Sequence, residues 1–409
     1  MNVFDPKTYS TDWELLVVDK LDRCVSHAKL EGFAGQLRSE LDLPIQTDFN
    51  AIEFAMGICK SFKQMQDRIQ LITDRATQLL AEYDLDLFPC AAHPVDFMYS
   101  CSHVHVGTIH NETDGICMEN RLMKYIPVFV ALSANSPVAH GLRGQFKSYR
   151  VRNAAHWCVH PIDCRNPHTT QPDWGRDCIS KLYSAPTFEV RVADCASSRR
   201  LLGELVTFIA AYTHHLGSKN DECSISPDDY KDYLTNRWSA ARYGLQATLA
   251  WDGKPKPVIE ILDKMLDECS DSLRDLGANR SDFPVMQTML EKRVCQADFV
   301  SNLAERYSDN YQLASVYGKL VRQWDIFEEY LESTKPLDIV PMADEDAIIA
   351  EHLSHIGEST YFYSLRTTMW YPAPIADELL DRMVDLGLVR REISPNRGTL
   401  LHREVMGSI

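Results

Sequence analysis

TFEVRVAD, residues 187–194, reads as a β-strand with two unlike faces. Side chains at i and i+2 of a strand share a face. Phe188, Val190 and Val192 therefore point one way, and Glu189 and Arg191 the other. A carboxylate beside a guanidinium needs either solvent, as a surface ion pair, or a polar cavity. Three other segments have the same grammar. CSHVHVGT (101–108) alternates His103 and His105 with Val104 and Val106. TDWELLVVD (11–19) sets Glu14 between Trp13 and Leu15, and TDFNAIEFAMGIC (47–59) sets Glu53 between Ile52 and Phe54, with Asp48 nearby. Taken singly, each has an ordinary reading: a solvated carboxylate at a strand edge, or one core and one surface histidine. Taken together, Glu14, Glu53, His105 and Glu189 compose a carboxylate-rich cage for a hard cation, and such oxygen-rich ligation suits Mg²⁺ better than zinc.

Around these strands the pattern is largely helical. Phe62, Met65, Ile69, Ile72, Leu79 and Leu80 recur at helical spacing, which predicts a helix over about 61–85. Residues 118–132 predict another, ending in ALSANSP with a break at Pro137. HPIDCRNPHTTQPDWG (160–175) is a long Pro- and His-containing loop of the kind that often serves as a lid. Helices then dominate from about Arg200 to Glu332. Strands and helices do not alternate as clean βαβ units, so the fold class is α+β rather than doubly wound. A boundary falls at TKPLDIVPMA (334–343), which carries two prolines. Beyond it the pattern predicts helices over about 344–356 and 374–386, a strand near 360–364, and a hairpin around Pro395-Asn396-Arg397-Gly398. The expected organisation is a domain over 1–335 and a winged-helix-like C-terminal module over 340–409.

At roughly 100–200 residues per domain, 409 residues also fit two or three domains. With 45% hydrophobic and 24% charged residues the chain is an ordinary globular one, not a disordered or low-complexity one. The net charge of −16 repels phosphate backbones, so nucleic acid is not an expected partner. No apolar stretch approaches the ~20 residues that span a bilayer, and Met1–Ser10 is polar, so the expectation is a cytoplasmic protein without a membrane partner. The 12 cysteines include no CxxC pair, and Cys59, Cys101, Cys117 and Cys158 are expected to be reduced thiols packed as small hydrophobes.

Basic groups gather at Arg143, Lys147 and Arg150, directly after ALSANSP. They read either as cations at a helix C-terminus or as a binding site for phosphate or carboxylate. There is no GxxxxGK[ST], no GxGxxG and no GxSxG, so Walker, Rossmann and serine-hydrolase sites are not indicated.

In this order, HVHVG (103–107), Asn120 and Arg121, IPVFVALSANSP (126–137), SYR (148–150), TFEVRVAD (187–194) and NRWSAARYGL (236–245) resemble the bacterial carboxylate–amine ligase branch of the glutamate–cysteine ligase family over about residues 10–330. The resemblance implies a glutamine-synthetase-like domain whose curved antiparallel sheet binds ATP and Mg²⁺ (or Mn²⁺). It implies amide formation between a small carboxylic acid and an amine through an acyl phosphate, and commonly a homodimer. By the same resemblance Glu14, Glu53, His105 and Glu189 would be metal ligands. Arg191 would steady the transferring phosphoryl group, and Arg150 would hold a substrate carboxylate. Asn135, Ser136 and Arg242 would line the nucleotide site.

The chain departs from the family pattern at five places, one of them the loop 160–175. Leu16 stands where the family carries a second glutamate, and Phe49 and Asn50 lie near the place of another, with Asp48 the nearest substitute. DCISKLY (177–183) replaces an Asp-x-Arg-Pro motif, and the appended module is atypical. These mark a divergent member with a changed substrate. Two other readings stay open at this level: a guanidino-type kinase on the same sheet, and a degenerate ligase acting as a sensor. From Met342 onward six arginines face eleven acidic residues, so the module is expected to dock on the larger domain rather than bind DNA.

Overall fold

The computed structural model describes residues 7–48, 51–107, 109, 111–153, 177–181, 186–219 and 227–342, together with 359–361, 389–394, 398–403 and a few residues between 381 and 387. A seven-stranded sheet organises the molecule: β1 (Tyr9–Val18), β2 (Ile45–Asp48), β3 (Ala51–Ala55), β4 (Asp86–Phe88), β5 (Ser102–Val106), β6 (Cys178–Lys181) and β7 (Thr187–Val190). The strand order is β2-β3-β1-β5-β7-β6, with β4 pairing the far end of β1. Every pairing in it is antiparallel. This is the α+β arrangement that the strand alternation predicts.

One face of the sheet is dry. Trp13, Leu15, Ile52, Phe54, Val104, Val106, Phe188 and Val190 are fully buried. Each such side chain contributes roughly 1.5–3 kcal/mol on leaving water. This face packs on a central helix, and Tyr9 Oη meets Thr207 Oγ1 at 3.0 Å. The first seven helices in chain order are α1 (His27–Leu41), α2 (Phe62–Ala81), α3 (Glu112–Met123), α4 (Ile126–Ser133), α5 (Tyr149–Asn153), α6 (Arg199–Gly217) and α7 (Pro227–Tyr243); α6 is the central one, and further helices follow between Val258 and Ser333. Ser61 caps α2 by accepting from Gln64 N, and Ser198 caps α6 by accepting from Leu201 N. Each satisfies one of the donors a helix start leaves free.

The single helix expected over 118–132 is two, α3 and α4. Pro127 sits in the first turn of α4. Its ring has no N–H and clashes with the carbonyl four residues back, so the chain must restart rather than run through. α4 ends at Ser133, four residues ahead of Pro137.

The proline-bearing boundary is held against the larger domain. Val340 N donates to Gln246 O (2.8 Å), Thr248 Oγ1 to Val340 O (2.7 Å) and Leu337 N to Lys292 O (2.8 Å). Beyond it, strands Val389–Ser394 and Gly398–Arg403 pair antiparallel, and Ser359–Tyr361 adds to the second of them. The predicted hairpin is thus present, while the loop 160–175, most of helix 374–386 and all of helix 344–356 lie outside the described residues. Cys59 and Cys101 are buried free thiols as expected. Cys117 is instead disulfide-bonded, and Cys158 lies outside the described residues. Among the described residues no helix is long and apolar enough to cross a membrane.

Candidate functional site

The opposite face of the sheet carries a row of polar side chains, and strand register alone lines them up. Glu14 stands opposite Glu53 across β1 and β3, and Gln46 opposite Glu53 across β2 and β3. Asp12 stands opposite His103 across β1 and β5, and His105 opposite Glu189 across β5 and β7. A one-residue slip in any strand would turn its polar set into the core, so the buried apolar face fixes the row.

The four residues expected to bind metal, Glu14, Glu53, His105 and Glu189, all lie in this row, joined by Asp12, Asp48, Cys101 and His103. Their donor atoms fall into three groups, each within 4.8 Å internally: Glu14–Asp48–Glu53, Asp12–His105–Glu189 and Glu14–Cys101–His103. His105 Nε2 is 2.8 Å from Asp12 Oδ2 and 3.6 Å from Glu189 Oε1, and its Nδ1 is 3.0 Å from Thr187 Oγ1. His103 Nδ1 is 3.2 Å from Glu189 Oε1, and its Nε2 is 2.8 Å from Cys101 Sγ. Glu14 Oε2 accepts from Cys101 N at 3.0 Å.

Burial and mutual repulsion polarise the row. Glu53 is pushed up to about 7, first by burial and then by the charge of Asp12, with Glu14 and Asp48 adding to it. Burial also raises Glu14. At the other end burial again favours the neutral acid, but His103, His105 and Arg191 outweigh it and hold Glu189 well below the usual carboxylate range. Burial works against charge on His105, yet Asp12 and Glu189 raise it. One end is thus short of positive charge, and the other is an imidazole–carboxylate mesh. Lys181 Nζ and Arg191 Nη1 approach Glu189 Oε2 at 2.7 and 3.7 Å and add cations there.

Arg191 lies just past the end of β7, where its N–H donates to Asp177 O at 2.7 Å. Asp177 in turn is buried and takes Arg237 Nε at 2.6 Å, Arg237 Nη2 at 2.8 Å and Tyr233 Oη at 2.6 Å. The NRWSAARYG stretch on α7 therefore acts through Arg237, which anchors the segment presenting Arg191.

Asn135, Ser136 and Arg150 occupy a different place from the one expected of them. Arg150 is buried, and its guanidinium donates to Val192 O (3.1 Å) and Arg191 O (2.9 Å) beside Asp194 Oδ1 (3.5 Å). Asn135 N and Ser136 Oγ both donate to Asp194 Oδ2, at 2.8 and 2.9 Å. Arg150 N donates to Ser136 Oγ at 3.1 Å. The three form a buried knot that grips the 191–194 backbone from behind. Arg242 lies over the rings of Trp238, Phe146 and Tyr243, with centroids 5.0–5.7 Å away.

Asp12 and Cys101 were missed by the sequence reading, although strand alternation offered the signal: each lies two residues before a residue already singled out. Lys181, Asp177 and Arg237 come from distant segments and leave no local signature.

Comparison with known proteins places this row in context. Residues 95–158 match the family model Glutamate-cysteine ligase family 2 (GCS2). A protein of Solibacter usitatus (strain Ellin6076) named "Putative glutamate--cysteine ligase 2" is 24% identical over 300 residues, covering 59% of this chain and 74% of that one. Among solved structures, a bifunctional glutathione synthetase from Pasteurella multocida superposes with a TM-score of 0.57 at 14% identity. That match covers 80% of this chain but about half, 54%, of the synthetase. Glutamate–cysteine ligase from Francisella tularensis, in complex with AMP, superposes with a TM-score of 0.51 at 11% identity over 81% of this chain and 96% of that one. At these identities the two structures show the fold: a glutamine-synthetase-like antiparallel sheet flanked by helices.

Proposed function

We propose that this chain, a divergent member of the glutamate–cysteine ligase family, is an ATP-dependent ligase that joins a small carboxylic acid to an amine through an acyl phosphate. The observation that carries this reading is the row Glu53–Glu14–Asp12–His105–Glu189 on one face of the sheet, with Arg191 at its end. Three carboxylates whose oxygens lie within 4.8 Å of one another repel unless a cation or a proton is shared among them. Glu14, Asp48 and Glu53 therefore fit Mg²⁺ or Mn²⁺, and Asp12, His105 and Glu189 fit a second such ion. Bound there, such ions would neutralise charge on the triphosphate of ATP.

The chain's own residues position and stabilise. The carboxylate of the acid substrate attacks the γ-phosphorus of ATP, the bond to the bridging oxygen breaks, and ADP leaves. The amine then attacks the acyl carbon, phosphate leaves with the C–O electron pair, and the amine gives up a proton. Arg191, a fixed cation within 4 Å of Glu189, stands where charge develops on the transferring phosphoryl group. Arg150, Asn135 and Ser136 act as positioning residues, because they donate to Asp194 and to the backbone carbonyls of residues 191, 192 and 195. No nucleotide contact is drawn for Arg242, whose charge is set over three rings.

The test is release of ADP and phosphate in the presence of a panel of amino acids and amines, with products identified by mass spectrometry. An amide formed with one phosphate per ADP supports the ligase. A phosphorylated product without amide would favour the kinase reading, and nucleotide binding without turnover the sensor.

A further inference from the structure

Cys101 introduces into this row a donor that a hard-cation cage does not need. It is buried, it lies two residues before His103 on the same strand face, and its Sγ is 2.8 Å from His103 Nε2. Glu14, at the other side, completes a set of one sulfur, one nitrogen and one oxygen whose ligand atoms all lie within 4.8 Å.

A second observation fixes the chemistry of the nitrogen. His103 Nδ1 faces Glu189 Oε1 at 3.2 Å. With the ring proton on the nitrogen that faces the carboxylate, Nε2 presents its lone pair to Cys101. A carboxylate behind a histidine in this way is the usual orienting device for a metal-binding imidazole. Another Cys/His/Asp group, Cys24–His93–Asp96, has similar spacing and lacks this feature. There His93 Nδ1 accepts from Val95 N and Asp96 N while Nε2 meets Asp22 O, so neither nitrogen is left for a metal. Within the row, His103 is the histidine whose ring nitrogen meets a thiol.

We propose that Glu14, Cys101 and His103 bind a zinc-class divalent cation, at a position separate in donor chemistry from the all-oxygen Glu14–Asp48–Glu53 group. Thiolate and imidazole select zinc over Mg²⁺, which prefers an octahedron of oxygens. Three protein ligands leave a fourth tetrahedral position open. With Zn–S near 2.3 Å and Zn–N near 2.0 Å, sulfur and nitrogen must part from 2.8 Å to roughly 3.5 Å, within reach of side-chain rotation. Binding converts the thiol to a thiolate and releases one proton to solvent. Thiolate and Glu14 together then balance the charge of the ion.

The inference rests on donor geometry and not on the proposed reaction, so the two can fail separately. The full-length protein is loaded with Zn²⁺, dialysed against excess Mg²⁺, and its metal content measured by mass spectrometry. A parallel sample is loaded with Co²⁺ and its absorption recorded. The expected result is one zinc retained per chain and a thiolate-to-cobalt charge-transfer band. In Cys101→Ser the band disappears and zinc affinity falls at least tenfold, while Glu53→Gln, outside the donor set, keeps the band. If Cys101→Ser does not fold, the parent's cobalt spectrum decides alone. Zinc washed out by Mg²⁺, no charge-transfer band in the parent, or undiminished zinc in Cys101→Ser overturns the proposal. ATP turnover with Mg²⁺ but without retained zinc would sink this inference and leave the ligase standing. Retained zinc without turnover would do the reverse.

Discussion

Glu14 and Glu53 stand directly opposite each other across the β1–β3 ladder, and both are buried. Like charges directly opposed on a sheet are destabilising, and burial makes them more so. The fold holds this arrangement because the register that brings them together also buries Trp13, Leu15, Ile52 and Phe54 on the other face. A divalent cation should therefore stabilise the protein. At a Mg²⁺ concentration of 100 Kd the gain is about 2.7 kcal/mol. Glu53→Gln should raise the melting temperature of the metal-free protein and remove most of the Mg²⁺ response, as read by calorimetry with and without Mg²⁺. A Glu53→Gln protein that still gains the parent's full increment would take Glu53 out of the cation site.

Arg191→Ala should leave the fold intact and abolish turnover. Loss of an arginine that stabilises a transferring phosphoryl group costs about 10³–10⁵ in rate. Among the described residues the Arg191 side chain has one ion pair, to Glu189 at 3.7 Å, so the melting temperature should move little. Activity within tenfold of the parent would remove Arg191 from the mechanism.

The alternation of TFEVRVAD, CSHVHVGT and TDWELLVVD sets Glu189, His105 and Glu14 each on the polar face of its own strand, because a two-residue period forces side chains apart whatever the tertiary setting. It could not say which strands are neighbours. The Glu14–Glu53 and His105–Glu189 pairs come from register between segments 39 and 84 residues apart in sequence. The same limit applies to the basic groups: nothing local shows that Val192 O, Arg191 O and Asp194 claim Arg150. Likewise nothing local ties Arg237 in NRWSAARYG to Asp177, which lies in a distant segment. The expected single helix over 118–132 ignored Pro127, a local signal that was present and outweighed by the apolar run.

Arg237→Ala should be among the most destabilising single substitutions in the larger domain. Arg237 and Asp177 are both buried and joined by two hydrogen bonds of 2.6 and 2.8 Å. Removing one partner leaves an uncompensated buried charge, at a cost of about 3–5 kcal/mol. Because Asp177 O also holds Arg191 N, turnover should fall together with stability. Urea unfolding and ATPase rates on the same samples test this. Stability within 1 kcal/mol of the parent, on the order of a surface substitution, would contradict it.

Leu16 shares the face of Glu14, yet it is fully buried, with Ala51 on β3 and Phe88 on β4 as its strand neighbours. The β1–β3 pairing runs without a bulge from Asp12 to Leu16, so a shifted register does not explain the aliphatic side chain. β4 closes the polar row at this end. Leu16→Glu should therefore lose on the order of 3–5 kcal/mol, as an unpaired buried charge does, and bind no additional Mg²⁺. Higher Mg²⁺ stoichiometry in the variant would show that this end of the row is open to ions.

The last prediction concerns Glu204 on α6, away from the polar row. Its side chain is fully buried and accepts from Val285 N at 3.3 Å and Met286 N at 2.8 Å, at the start of the Pro284–Lys292 helix. A carboxylate suits a helix N-terminus, and Arg200 Nε adds a bond at 3.2 Å. Burial nevertheless dominates and pushes Glu204 up to about 7 from its ordinary 4.5. The sign of the pH effect follows. Between pH 4.5 and 7 the folded protein holds a proton that the unfolded chain has released, so this group favours folding most below pH 4.5. Its contribution declines as pH rises through 7, where the native state must carry a buried charge. The full span is on the order of 3 kcal/mol, since one pKa unit is worth about 1.4 kcal/mol. Glu204→Gln keeps an acceptor for the helix N–H groups and does not titrate. Urea unfolding at pH 5.5 and 8.5 should show the parent losing stability relative to Glu204→Gln at the higher pH. A difference between the two proteins that does not change with pH would mean that the helix N-terminus and Arg200, rather than burial, govern this carboxyl group.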